Sequence, residues 1–285
     1  MIDLHTHTTY SDGSFSVREL LQEAERIGLT LLSITDHNKI SAYKELKNPE
    51  TRKLFQGKII TGVELTTAYK GETIEILGYN FDLEKMQGFI DEHVLLSENK
   101  QVKEFELIKA QYKKLGIIFD ETKITFDPKK GNSRGAVLRE ISKYPENHKF
   151  FLDEESIFSI GKFTRNEVYN PKSPLYVDET SLFPSMETVI EMIHESGGVA
   201  CLAHVYAYSP NIANDLTNIL QSYKLDGLEC FYTTFTEEQS AYLVQLCKER
   251  GLLISGGSDF HGTVKINHDL GVGHGNLNIE EFMVL

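Results

Sequence analysis

The 285-residue sequence predicts an α/β fold of strand–helix units interrupted by a mostly helical insertion. Three observations carry this expectation. The first ~80 residues alternate short apolar runs with amphipathic segments. That rhythm returns after Ser185. Between them, from about Leu83 to Leu175, the texture changes to a stretch rich in Lys, Glu and Phe. At this length the chain has room for a full α/β barrel or for one domain with a sizeable insertion.

The elements follow in order. Ser16 and Glu19 form a capping-box pattern ahead of a helical stripe of Val17, Leu20, Leu21, Ala24 and Ile27. Gly28 ends that helix, and Leu31-Leu32-Ser33-Ile34 makes a short buried strand running into Asp36-His37. Strands are predicted around Ile59 to Glu64 and Thr73 to Tyr79, then a long helical stretch from Glu84 to Leu115. Ser185 caps a helix with Met186, Val189, Ile190 and Ile193 on one face, and Gly197-Gly198 breaks it. Val199 to Ala203 is a strand ending at His204, and Leu225 to Phe231 is another. Thr236 with Gln239 caps a helix that stops at Gly251, after which Leu252-Leu253-Ile254 delivers Asp259 and His261.

Composition narrows the class. Apolar content of 40% and charged content of 25% are those of a soluble globular protein, and no apolar run approaches the ~18 residues of a membrane span. The first motif begins within five residues of Met1, leaving no room for a signal peptide, so a cytoplasmic protein is expected. Cys201, Cys230 and Cys247 read as small buried hydrophobes, not a disulfide framework. A net charge of −13 argues against capture of long duplex nucleic acid, which needs a broad basic surface.

Five of the ten histidines fall in four clusters. These are Asp3-Leu4-His5-Thr6-His7 with Asp12, Thr35-Asp36-His37, Ala203-His204, and Ser258-Asp259-Phe260-His261. His5 and His7 are two apart, so on a strand both point to one face and suit a single cation. Alone that pair is weak evidence. Joined by Ser11-Asp12-Gly13, Glu64, His204 and Asp259-x-His261, it reads as a metal site for hydrolysis, assembled where strand C-termini converge. Asp3 and Asp36 read either as groups that orient imidazoles or as capped turns. His93, His148, His268 and His274 match no motif and read as surface or loop residues, and His194 as packing. Lys129-Lys130-Gly131-Asn132-Ser133-Arg134 is the candidate basic pocket for a small anion. Within it both lysines read as solvated, and Arg134 as either a phosphate grip or a solvated side chain. Gly256-Gly257 gives the backbone room before Asp259. No Walker loop, Gly-x-Ser-x-Gly, Cys-x-x-Cys or dinucleotide fingerprint is present.

Asp3 to Gly13, Thr35-Asp36-His37-Asn38, Gly62-Val63-Glu64, Leu202-Ala203-His204 and Gly257-Ser258-Asp259-Phe260-His261 resemble successive motifs of the PHP (polymerase and histidinol phosphatase) phosphoesterases. The resemblance covers about 1–82 and 176–265. The stretch 83–175 resembles the helical cap subdomain of the branch holding nucleoside 3′,5′-bisphosphate phosphatases and 5′→3′ exoribonucleases. Pro174-Leu175-Tyr176-Val177 and the run from Ile193 to Ala200 also have counterparts in that branch. The resemblance implies a distorted (β/α)7 TIM-like barrel formed by 1–82 and 176–285, with 83–175 inserted as a wall over the site. It implies two or three divalent ions of manganese, iron or zinc. His5, His7, Glu64 and Asp259 would hold one. Glu64, Glu75 and His204 would hold a second, and Asp12, His37 and His261 a third.

Two departures stand out. Glu75, in Ile74-Glu75-Ile76, replaces the family's usual histidine, and we expect it to remain a ligand. Arg134 is followed by Gly135-Ala136-Val137 where the branch often has Arg-Pro-His-Ile. The expected enzyme hydrolyses a phosphate monoester of a small metabolite by metal-bound hydroxide, with Asp12 or His261 protonating the leaving oxygen. A nucleoside 3′,5′-bisphosphate ranks ahead of histidinol phosphate, with short RNA 5′ ends third. The alternative of another class is a non-catalytic metal-binding module, for which Glu75 and the altered Arg134 segment are the only support.

Overall fold

The computed structural model describes residues 1–94, 97–129 and 131–272, so Lys130 and His274 lie outside the described residues. The chain divides into two compact units, one of Met1–His93 with Pro184–Leu285, the other Val94–Phe183. The division falls later than the boundaries at 83 and 175 suggested by texture. Helix Leu83–His93 goes with the first unit because Met86 and Ile90, one turn apart, are buried on its inner face.

In the first unit, seven strands form one sheet in chain order. They are β1 (Ile2–Asp3), β2 (Leu31–Ile34), β3 (Lys58–Tyr69), β4 (Glu72–Tyr79), β5 (Val199–Leu202), β6 (Gly227–Tyr232) and β7 (Leu253–Gly257). All neighbours are parallel except β4, which runs antiparallel to both β3 and β5. Only Lys70 and Gly71 separate β3 from β4, both at positive φ (48° and 85°). A two-residue turn of this hand joins antiparallel strands, whereas a parallel return needs a crossover of roughly a dozen residues. The hairpin is therefore the distortion in an otherwise (β/α)-wound TIM-like barrel.

The sheet closes where its edges meet. Thr6 bridges Phe260 in parallel, Leu4 N–H donates to Gly256 O at 3.2 Å, and His7 N–H donates to Phe260 O at 2.8 Å. Gly257 permits this approach, since a Cβ there would lie 2.3 Å from His5 Cβ and 2.4 Å from His5 N. Inside, Leu4, Ile60, Leu77, Tyr79, Cys201 and Ala203 form one apolar cluster, and Tyr79 OH donates to Leu4 O at 3.0 Å.

The two capping boxes form as the sequence predicts, Ser16 with Glu19 ahead of helix Val17–Arg26 and Thr236 with Gln239 ahead of helix Glu237–Arg250. Gly251 ends the latter in the left-handed conformation. All three cysteines are free and buried.

The second unit is helical, built on Ser97–Leu115 and Ser133–Ile141 with short 3₁₀ turns. Ile108, Tyr112, Val137, Ile141, Phe163 and Leu175 belong to its apolar core. Among the described residues, no helix is long and apolar enough to cross a membrane.

Candidate metal centre

Each candidate ligand of the first unit is placed by backbone that leaves the barrel core. His5 and His7 follow β1 and are fully buried. His37 lies just past β2, His204 just past β5, and Asp259 and His261 just past β7. Asp259 holds a left-handed backbone (φ 55°), which an aspartate tolerates better than most residues and which turns its carboxylate back over the barrel mouth. Glu64 sits mid-strand in β3, and Glu75 on β4 opposite Thr66. Because β4 is reversed, its candidate ligand comes from the early part of the strand instead of from the C-terminal end.

Glu64 is the hub. Its Oε1 lies 3.2 Å from His5 Nε2 and 3.1 Å from His204 Nε2, and its Oε2 lies 3.2 Å from His7 Nε2 and 3.0 Å from His37 Nδ1. Asp259 Oδ1 stands 3.5 Å from His5 Nε2 and 3.3 Å from His7 Nε2. On the other side, Asp12 Oδ1 is 3.2 Å from His261 Nε2 and Asp12 Oδ2 is 3.7 Å from His37 Nε2. Four groupings have donor atoms near enough to share an ion: His5/His7/Glu64, Glu64/Glu75/His204, His7/Asp12/His37/His261 and His5/His204/Glu229. Seven of the nine predicted ligands line one cavity of about 380 Å³, and His5 and His7 lie within 3.5 Å of its Glu64 and Asp259.

These atoms fit a cation. His5 Nε2, His7 Nε2 and Glu64 Oε2 are buried without a hydrogen-bond partner although they face one another. Buried polar atoms are rarely left so, and a metal ion satisfies lone pairs that converge on one point. The electrostatics agree. Burial alone would hold His5 neutral, but Glu64, Glu229 and Asp259 outweigh it and raise its pKa well above the usual value. His7 is likewise carried against burial to about 9 by Asp259 and Glu64. Glu64 and Asp259 are held well below the carboxylate range, burial being overcome by the imidazoles. The site is a place where positive charge is strongly favoured.

The structure also supplies residues that the sequence reading did not single out. Glu229 on β6 is fully buried; its Oε1 accepts from His5 Nδ1 at 2.9 Å and its Oε2 from His204 N–H at 2.8 Å. A lone acid between Leu228 and Cys230 in an apolar strand is the signal that marks it. Tyr208 OH donates to Glu75 Oε2 at 2.9 Å and accepts from Glu75 N–H at 2.8 Å, fixing that carboxylate. Tyr232 OH donates to Asp259 Oδ2 at 2.7 Å, and Lys265 pairs with the same oxygen.

Asp3 and Asp36 follow the capped-turn alternative, and the readings of His268 and His194 need correction. Asp3 touches no imidazole; its carboxylate accepts from Ser258 N (3.0 Å), Ser258 Oγ (2.6 Å), Gly271 N (2.7 Å) and His5 N (3.2 Å). Burial pushes Asp3 up to about 6 against these donors. Asp36 likewise caps a turn, accepting from Thr8 N, Thr8 Oγ1 and Ser11 Oγ, and reaches His7 only through Ser11. His268 is buried and donates from Nδ1 to Ser258 O at 2.8 Å. His194 is more than packing, since its Nε2 meets Asp226 Oδ2 at 2.7 Å.

Arg134 belongs to the second unit, in the first turn of helix Ser133–Ile141. Its guanidinium pairs with Glu179 (2.7 Å) and Glu104 (2.8 Å) and stacks on the Tyr169 ring. Two carboxylates therefore already meet its charge. Lys129 is exposed. Burial raises Glu104 to about 7, outweighing Arg134, with Glu179 adding to the rise. A carboxyl whose folded pKa exceeds its unfolded value binds more protons when folded, so its contribution to stability declines from about pH 4.5 upwards and is lost above about 7. Glu104→Gln should therefore raise the thermal midpoint relative to the parent by roughly 2–4 °C at pH 8, and by less at pH 5.5. Thermal melts at both pH values check this, and an equal or larger gain at pH 5.5 would contradict it.

The chain is also similar to known proteins. The family profile described as PHP domain matches residues 3–233. A 5′-3′ exoribonuclease of Haemophilus influenzae is 30% identical over 264 residues, covering 91% of this chain and 89% of that protein. A 3′,5′-nucleoside bisphosphate phosphatase of Chromobacterium violaceum is 24% identical, covering 95% and 90%. A solved Chromobacterium violaceum structure described as an amidohydrolase with bound sulfate and no metal superposes with a TM-score of 0.64 at 21% identity, covering 95% and 90%.

Proposed function

The chain belongs to the PHP domain family and is a metal-dependent phosphoesterase; from that premise we propose that it removes phosphate from a small phosphomonoester, a nucleoside 3′,5′-bisphosphate first. The observation that carries this reading is Glu64, one buried carboxylate reached by four imidazoles, with further acids on either side. Such a donor set suits two or three ions of manganese, iron or zinc. We assign His5, His7, Glu64 and Asp259 to one ion, Glu64, Glu75 and His204 to a second, and Asp12, His37 and His261 to a third. When bound, such ions lower the pKa of water and neutralise charge building on the phosphoryl oxygens.

The chain's own groups divide the remaining work. His261 donates from Nδ1 to the Asp259 carbonyl at 2.9 Å, which fixes the ring and turns Nε2 towards Asp12. Burial would raise Asp12, but the hydrogen bond from His261 and the charges of His37 and His7 hold it well below the carboxylate range. Asp12 and His261 stand together at the cavity, and either one, released from an ion, is placed to protonate a leaving oxygen. Asp12 is the partly exposed member of the pair, at the cavity edge.

The substrate ranking rests on the named activity of the Chromobacterium relative and on the acidic balance of −13, which disfavours long nucleic acid. Removal of nucleotides from short RNA 5′ ends is the second reading, favoured by the Haemophilus relative. The test is phosphate release from adenosine 3′,5′-bisphosphate, histidinol phosphate and a 5′-phosphorylated oligoribonucleotide, each with Mn²⁺ and with chelator. Chelator-sensitive release from the bisphosphate is expected. Turnover confined to the oligoribonucleotide would give the second reading, and inactivity on all three would overturn the proposal.

A further inference from the structure

The cavity over the metal centre carries an unbalanced charge. Asp12, Glu64, Glu75 and Asp259 face it, and among the described residues Lys265 is the one lysine or arginine in its lining. Ions at the ligand atoms answer for the reacting phosphate but not for an anion elsewhere on the same substrate. Lys265 occupies a separate position. Asp259 turns Oδ1 towards His5, His7 and His261, and Oδ2 towards Tyr232 and Lys265. The ammonium thus sits on the face of the carboxylate away from the ligand cluster, 3.3 Å from Tyr232 OH. An ammonium has three donors; among the described residues Asp259 and Tyr232 take two, and the side chain is 37% exposed at the cavity. Its neighbours in sequence are apolar and unusually open, Val264 at 62% exposure, also lining the cavity, and Ile266 at 82%.

We propose that Lys265, flanked by Val264 and Ile266, is a specificity-determining residue that grips a second anionic group on the leaving portion of the substrate. This rests on the phosphomonoesterase reading above and adds to it a preference for esters whose organic part carries a further phosphate or similar anion. The apolar flanks suit the organic body between the two anions, and the ammonium supplies a charge-assisted hydrogen bond that a neutral leaving group does not use. Because the lysine approaches Asp259 through Oδ2, gripping substrate does not require the ligand oxygen Oδ1 to move.

The experiment compares kcat/KM for adenosine 3′,5′-bisphosphate and 4-nitrophenyl phosphate in the metal-loaded parent, Lys265→Met and Lys265→Arg, with bound metal measured in each. Lys265→Met should lower kcat/KM for the bisphosphate at least about tenfold more than for the aryl phosphate, mainly through KM, at parental metal content. Lys265→Arg should recover part of the preference. Equal losses on both substrates, or loss of metal in Lys265→Met, would mean the lysine only steadies Asp259 and would overturn the inference. A parent that hydrolyses neither ester defeats the phosphomonoesterase reading itself. Calorimetric affinities of the metal-loaded proteins for the bisphosphate and for orthophosphate then still decide on Lys265, since an unchanged affinity gap in Lys265→Met counts against it.

Discussion

Asp259→Ala is expected to strip the centre of bound metal and to lower phosphate release by about a thousandfold or more. Asp259 Oδ1 approaches His5 Nε2, His7 Nε2 and His261 Nδ1 within 3.5 Å, so its loss removes a carboxylate from the middle of the imidazole cluster. The imidazoles left behind would keep Glu64, Glu229 and Asp12 as their acidic neighbours. Alanine also tolerates the left-handed backbone at 259 less well than aspartate. Asp259→Asn is the companion variant, since asparagine accepts that backbone and keeps the shape while removing the charge. Metal content after dialysis, turnover and a thermal melt should be read on both. A folded Asp259→Asn protein with full metal and full rate would sink the ligand assignment.

Glu229→Ala should weaken metal binding by about ten- to a hundredfold, without removing any of the nine assigned ligands. One carboxylate holds His5 with Nε2 aimed at Glu64 and also fixes the backbone N–H of His204, so two ligands lose their support together. Both donors would be left buried and unpaired, at a cost of roughly 1–3 kcal/mol each. Glu229→Gln should be milder, because the amide oxygen still accepts from one donor while its NH₂ cannot accept from the other. Chelator competition gives the affinities. Excess Mn²⁺ should restore much of the rate in Glu229→Gln and little in Asp259→Ala, and equal rescue of both would contradict the distinction between a positioning residue and a ligand.

Much of this was legible in the sequence because the signals are local. A capping box needs only Ser16 and Glu19, and a strand that empties into Asp-His or Ala-His marks where the barrel delivers chemistry. The reversal of β4 was harder to read. Both neighbours bury its inner residues, so its apolar pattern is that of any central strand, and only the shortness of Lys70-Gly71 betrays the turn. Glu229 is hard to single out because an acid in a strand is ordinarily placed facing water, and period-2 alternation does not say which face is lined by histidines. Asp3 and Asp36 next to histidines read equally as imidazole partners or as capped turns, and a carboxylate beside turn amides is claimed by the backbone first. Lys265 and His268 depend on how the chain folds back after the last motif, which no short-range pattern encodes.

The four hydrogen bonds around Asp3 have a temporal side. Three of them tie Asp3 to Ser258 and Gly271, and the backbone just after β1 pairs with the end of β7 and the residues beyond it. In synthesis, His5 and His7 therefore precede Asp259 and His261 by 254 residues each, and the two sides of the cluster cannot meet before that length of chain has been made. A nascent chain holds isolated imidazoles with low affinity for any ion, and a prematurely terminated one never closes the barrel around them. Capture of metal is thus postponed until β7 has been made and the residues beyond it meet those that follow β1.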